Sequence, residues 1–205
     1  MNQDVTLKEF SLALSSQAPT PGGGGAASYV AALAAALGSM VIALSKNKSK
    51  FANYQDDYAV LSLELERLNN DLLASIHQDE VAFLPLAKAY ALDKNDPNRD
   101  EILEKCLLDA ANAPLDVLRT TCCVVDCLAR LKPISSRLVI SDVASGAGIA
   151  YGAILASSIN VRVNTRLMKD LDVAFKLNDE VEKLESEYTA KSLKLFNEIE
   201  KEMAQ

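Results

Sequence analysis

The sequence predicts an all-α protein, a single-domain bundle of five to six helices covering residues 1–205. Three observations carry that reading. Apolar residues recur every three or four positions over most of the chain. Ala and Leu dominate the apolar residues, while aromatics make up only 5% and Trp is absent, a composition suited to helices packed closely through small side chains. The β-branched residues form no alternating runs, so no β-sheet is called for. A chain of 205 residues can be served by one hydrophobic core.

The elements follow in order. A short first helix is expected over about residues 6–14, and Ser15-Ser16-Gln17-Ala18-Pro19-Thr20-Pro21 then forms a loop in which two prolines stop any helix. The second helix runs from the glycine run Gly22-Gly23-Gly24-Gly25 to about residue 45, where Lys46-Asn47-Lys48-Ser49-Lys50 breaks it. A long third helix is expected over about 54–92, with Leu61, Leu65, Leu68, Leu72 and Ile76 on one face and Pro85 as a kink. The fourth spans about 99–131, with Pro114 as a kink or restart. Ser141-Asp142 reads as an N-cap pair opening a small-residue fifth helix to about residue 166. The last, about 170–203, is charged and carries the stripe Leu177, Val181, Leu184, Tyr188, Leu195 and Ile199.

Charge and cysteine content exclude several classes of function. With 28 acidic against 21 basic residues the net charge is −7, so nucleic acid and anionic membrane surfaces are not expected partners. Lys46, Lys48 and Lys50 form a local basic cluster that leaves room for a small anion. The cysteines Cys106, Cys122, Cys123 and Cys127 are expected to be reduced, buried and hydrophobic, and with a single His a zinc site would lack ligands unless several acidic groups helped. Residues 21–45 carry no charge and are long enough to span a bilayer, but Ala, Gly and Ser prevail, which predicts a central helix buried on all sides instead. No signal peptide is evident, and a soluble cytoplasmic protein is expected.

Three features are candidates for chemistry. The glycine run begins a helix, where unpaired N–H groups and the positive dipole end favour an anion or a carbonyl-rich ring, and a backbone without side chains can touch a ligand directly. It is no P-loop, since no Lys-Ser/Thr pair follows, and Ser28 stands where a dinucleotide fingerprint needs its third glycine. A flexible turn or close helix packing would also account for it. Asp79 lies seven residues after Leu72 and four before Phe83, on the apolar face of the third helix. A carboxylate there is hydrogen-bonded, paired or used, and partial burial would raise its pKa toward the range of proton transfer; a purely structural acid is the alternative, and Glu80 the rival. On the fifth helix Asn160 and Asn164 stand one turn apart, sharing a face with Ala153 and Ser157, able to bind a heterocycle or to bond helix to helix. Asp142 shares that face but stands about 27 Å away along the axis, so it meets the same ligand only through a bend, a neighbouring helix or a second subunit. His77 reads as a surface residue.

These residues together resemble the cyclodeaminase/cyclohydrolase family of folate one-carbon enzymes. The resemblance is carried by Pro19-Thr20-Pro21-Gly22-Gly23-Gly24-Gly25-Ala26-Ala27, Asp79-x-x-Ala82-Phe83, Ala113-Pro114-Leu115, Ser141-Asp142-Val143 and Asn160-Val161-x-Val163-Asn164, in order over most of the chain. The resemblance implies an all-helical fold working as a homodimer or larger homo-oligomer on a tetrahydrofolate derivative, without metal or other cofactor. Its leading activity is deamination of 5-formiminotetrahydrofolate to 5,10-methenyltetrahydrofolate; the alternatives are methenyltetrahydrofolate cyclohydrolase and a non-catalytic folate-binding scaffold. The family pattern has Ser after the three glycines where this chain has Gly25. On this reading Asp79 and Asp142 are the catalytic residues. Pro21, Gly22, Gly23, Gly24, Gly25, Ser28, Phe83, Ser141, Asn160 and Asn164 contact substrate.

Overall fold

Residues 23–45 contain so much Gly and Ala that the helix they form is thin, and other helices can approach its axis closely. A computed structural model describes residues 5–204, and in it this helix, α2 (Gly23–Ser45), packs against three partners. The full order is α1 (Leu7–Leu14), α2, α3 (Gln55–Tyr90), α4 (Arg99–Leu131), α5 (Ile140–Thr165) and α6 (Leu171–Met203), with single 3₁₀ segments at Ser49–Tyr54 and Lys132–Ile134. No strand occurs among the described residues. The structure is an all-α single domain.

Capping chemistry explains the ends of the outer helices. Thr6 caps α1 and exchanges bonds with Glu9 in a capping box, while Asp170 caps α6 by accepting from the Val173 N–H. The expected cap at the start of α5 is not there. The helix begins one residue before Ser141, Val139 occupies the N-cap position without a side-chain bond, and Asp142 lies in the first turn. Hydrophobic contact places this terminus instead: Val139 and Ile140 are both buried in the core.

The main core is built by the expected stripes. Leu61, Leu65, Leu68 and Leu72 of α3 meet Leu115, Leu118, Leu128 and Leu131 of α4, Val143 and Ile154 of α5, and Val181 and Ile199 of α6. Small residues set the spacing. A Cβ added at Gly38 would lie 3.0 Å from Leu65 Cδ1, and one at Gly146 would lie 3.1 Å from Leu128 Cδ1. Pro85 and Pro114 are absorbed within α3 and α4, so neither divides its helix. Tyr58 fixes the far end of the bundle by donating its hydroxyl to the Ile134 carbonyl.

Two expectations about burial are corrected. Only one side of α2 is covered, leaving Val30, Leu33, Met40 and Leu44 exposed, because the remaining helices pack on its Ala/Gly face. By length and hydropathy α2 and α5 are both long and apolar enough to cross a membrane, with half of each apolar window buried inside the bundle. Cys123 is exposed, whereas Cys106, Cys122 and Cys127 are buried; all four are free thiols. Burial pushes the Cys122 and Cys127 thiols up to about 12, which makes them poor nucleophiles.

Leu65 is completely buried at the crossing of α2, α3 and α4. Leu65→Ala is expected to lower the unfolding free energy by about 2–5 kcal/mol, from lost transfer energy and the residual cavity, read as a lower midpoint in urea unfolding.

Candidate active site

The glycine turn has no side chain to cap the helix that follows it. Gly22 stands at the N-cap of α2 and makes no side-chain bond, so the first N–H groups need partners from elsewhere. Asp79 supplies one from α3: its Oδ2 accepts the Gly25 N–H at 3.0 Å. An acid on one helix thus caps another.

Space explains the consecutive glycines. A Cβ on Gly24 would lie 2.6 Å from Asp79 Cγ, and a Cβ on Gly23 would lie 2.9 Å from Asn160 Nδ2. Neither distance is available to a real side chain. Gly22 has open space around it, and a Cβ on Gly25 would meet only Pro21 closely, at 3.3 Å. Asp79 and Asn160 therefore approach the turn on its bare backbone.

Around this contact lies a cavity of about 170 Å³ lined by Pro19, Thr20, Gly22, Gly23, Gly24, Asp79, Phe83, Ala110, Pro114, Asn160, Val163 and Asn164. Every helix from α2 to α5 contributes to it. Thr20 anchors the rim by donating its hydroxyl to Glu80 Oε1 at 3.2 Å, and Glu80 Oε2 stands 3.4 Å from His77 Nδ1. The amide of Asn160 donates to the Ala156 carbonyl at 2.7 Å; that of Asn164 donates to Ala110 O at 2.8 Å and Asn160 O at 2.9 Å. With an N–H of each amide held by the main chain, the Oδ1 atoms remain as acceptors.

Electrostatics single out one group. Burial raises the Asp79 carboxyl above the usual carboxylate range, and the Gly25 N–H pulls it down by less. The acid is half-buried, held through Oδ2, and faces the cavity. A carboxyl so placed, with its charged form disfavoured by burial, is a candidate for taking up and returning a proton. No cluster of His, Cys, Asp and Glu able to hold a metal occurs among the described residues.

The expected site residues divide into three sets. Asp79, Phe83, Gly22, Gly23, Gly24, Asn160 and Asn164 line the cavity. Pro21 and Gly25 lie just behind it, both buried, with Gly25 serving Asp79 through its N–H. Ser28, Ser141 and Asp142 do not reach it. Ser28 is fully buried and returns its hydroxyl to the Gly24 carbonyl, while Ser141 and Asp142 lie in the first turn of α5, at the other end of that helix from Asn160. The basic cluster is also remote, since Lys46 follows the C-terminus of α2 and Lys48 donates to Ser136. Pro19, Thr20, Ala110 and Val163 are lining residues that no helical pattern singled out. The sequence signal for Ala110 is its position four residues before Pro114.

A helical bundle with a bare-backbone turn, an inward acid and two fixed amides has the features of a small-molecule site assembled between helices, here with a half-buried carboxyl at its centre. The chain belongs to the formiminotransferase-cyclodeaminase family, whose model matches residues 6–183. It is 31% identical over 203 residues to the methenyltetrahydrofolate cyclohydrolase of Methylorubrum extorquens, covering 97% of this chain and 98% of that protein. It is 28% identical over 171 residues to the mouse formimidoyltransferase-cyclodeaminase; that match takes in 82% of this chain but 32% of the mouse protein. Among solved structures, formiminotetrahydrofolate cyclodeaminase from Thermotoga maritima superposes with a TM-score of 0.90 at 24% identity over 98% of both chains, which establishes the shared fold.

Gly24→Ala is expected to drive the Asp79 carboxyl off the turn and to cost about 1–3 kcal/mol in stability, whereas Gly22→Ala leaves the melting midpoint within the range of ordinary surface changes. Thermal melts of the two variants side by side check this.

Proposed function

We propose that the chain acts on the one-carbon unit bridging N5 and N10 of a tetrahydrofolate, with Asp79 moving the proton. The observation that carries this reading is the Asp79 carboxyl, raised by burial and held over the glycine turn inside the cavity. Similarity across 97% of this chain and 98% of the Methylorubrum protein supports the cyclohydrolase activity named for that relative.

In the hydrolytic direction, water attacks the methenyl carbon. Asp79 accepts one proton from that water, leaving a hydroxyl on the carbon; as the N5–C bond breaks that proton passes to N5, the hydroxyl proton leaves to solvent, and the formyl C=O remains on N10. Gly25 steadies Oδ2, so Oδ1 exchanges the proton. The glycine turn and the Asn160 and Asn164 acceptors seat the N–H-rich pterin, and orientation supplies the remaining rate gain. Proton transfer and positioning are all that this step asks of the protein, so no metal or redox group is invoked.

Deamination is the second reading, supported by the family to which the chain belongs and by the mouse relative's name. There N10 attacks the carbon of the protonated formimino group, its proton moves through Asp79 to the departing nitrogen, the bond from carbon to that nitrogen breaks, and ammonia leaves the methenyl cation. The near-ultraviolet absorbance of the methenyl compound separates the two. It disappears without added ammonia in hydrolysis and appears from the formimino compound in deamination. Folate binding with neither change overturns both.

Asp79→Asn is expected to reduce kcat by about 10²–10⁴-fold. Its stability moves the other way. Because the folded pKa is raised, the folded protein binds the proton more tightly than the unfolded chain. Wild-type stability therefore falls as pH rises from the ordinary carboxylate range through the folded value. The Asn variant lacks that loss, so its midpoint gains on the wild type as pH rises through that window; a wild-type kcat for the variant sinks the proton role.

A homodimer is the working unit on this reading. A cavity of about 170 Å³ is small against the roughly 300–1,000 Å³ of ordinary ligand pockets. Val163 belongs both to its lining and to an exposed apolar stripe that continues through Ile159 and Leu155. Residues 143–161 carry no charge, and Gly152 at their midpoint has nothing near its missing Cβ. Antiparallel pairing of two α5 helices about Gly152 brings the first turn of one, with Ser141 and Asp142, level with the Asn160 turn of the other. Ile159→Glu is expected to give a folded monomer by light scattering and circular dichroism, with activity lost; a monomeric wild type would overturn the dimer.

A further inference from the structure

Two prolines lie inside long helices, and each removes the N–H that would have bonded the carbonyl four residues earlier. Such a proline destabilises a helix interior, so each freed carbonyl needs an account. Pro85 frees the carbonyl of Val81, whose residue is 54% exposed and open to water. Pro114 frees the carbonyl of Ala110, a residue only 5% exposed in the wall of the cavity. Its partner is Asn164 Nδ2, at 2.8 Å, a side chain of the cavity reaching across from α5.

We infer that Pro114 is a positioning residue: by withholding its N–H it keeps the Ala110 carbonyl available, and that carbonyl sets the orientation of the Asn164 amide in the site. The inference rests on the reading that Asn164 holds substrate. The Asn164 NH₂ is fixed from two directions, by Ala110 O from α4 and by Asn160 O from its own helix. An amide so held cannot turn over, so its Oδ1 keeps one direction. A residue with a backbone N–H at 114 would add a second donor to the Ala110 carbonyl, from the α4 ladder, and straighten the helix there, turning that carbonyl away from its present direction. Asn164 would then share or lose that acceptor, and with its bond to Asn160 O as the remaining fixed contact its amide would be held less firmly. Helix stability and site geometry thus pull in opposite directions at one position in the middle of a 33-residue helix.

The test is a double-mutant cycle on Pro114→Ala and Asn164→Ala in the full chain. Pro114→Ala is expected to raise the melting midpoint, to raise KM about tenfold while kcat stays within about threefold, and to shift the Asn164 side-chain amide resonance in a ¹⁵N spectrum. Pro114 also touches the cavity directly, and the cycle separates that contact from the positioning role. In the Asn164→Ala background, the KM effect of Pro114→Ala disappears if Pro114 acts through the amide. Additive KM effects, or an Asn164 resonance unmoved by Pro114→Ala, overturn the inference. The spectrum needs no turnover. A wild type inactive on either folate would therefore refute the proposed reaction, while the resonance still judges whether Pro114 sets the amide.

Discussion

The bond from the Gly25 N–H to Asp79 Oδ2 is the constraint on which the site depends. A helix that starts with glycines begins without a cap, and its N-terminus would fray unless another element met its N–H groups. Asp79 meets one of them from α3, and its carboxyl can approach only because Gly24 presents no Cβ. The same absence on Gly23 admits Asn160 from α5. Three helices are thus registered against each other at one turn of bare backbone. The small residues that follow continue that close approach along the length of α2, whose Ala31, Ala32, Ala34 and Ala35 are almost wholly buried.

Using an acid as a cap sets its chemistry as well as its place. The positive end of a helix and an N–H donor favour the charged form; burial beneath the rim favours the neutral form, and here burial wins. One carboxyl oxygen is committed to the backbone, and on the proposed reading the other carries the proton. A cap on the solvent face would have stabilised the helix more, because it would not have paid for desolvation. A group retained at such a cost, beside acceptors that are themselves fixed, is what a proton-transfer site requires.

Most of the fold was legible because each helix carries its own evidence: a period near 3.6, a proline or glycine boundary, and an apolar face. The heart of the site was legible for the same reason. Asp79 interrupts an apolar stripe, Asn160 and Asn164 share one face, and both signals are angular. Periodicity says nothing of where along its axis one helix meets another. Asp142 has the right angle and the wrong height, standing at the opposite end of α5 from the glycine turn. Ser28 has a hydroxyl one turn from the glycines, but that turn lies inside the bundle, where the hydroxyl bonds its own helix. The rim residues Pro19 and Thr20 and the wall residue Val163 fall inside the quoted motifs without a helical period to single them out, and Ala110 joins them only through packing.

The antiparallel course of α2 and α5 accounts for what one chain holds and what it lacks. Gly23 lies against Asn160, and Gly146 lies against the Ala34 carbonyl, so the start of one helix faces the end of the other throughout. This arrangement gathers the turn, the acid and both amides at one end and leaves Ser141, Asp142 and the lysines at the other. Both ends border the same uncharged outer face of α2 and α5, where Val30, Leu33, Leu155 and Ile159 are exposed. A twofold axis through the middle of that face interchanges its ends, so each copy would bring its polar end beside the cavity of the other. The separation that excludes Asp142 from the cavity of its own chain is thus the separation that would carry it to a neighbour's.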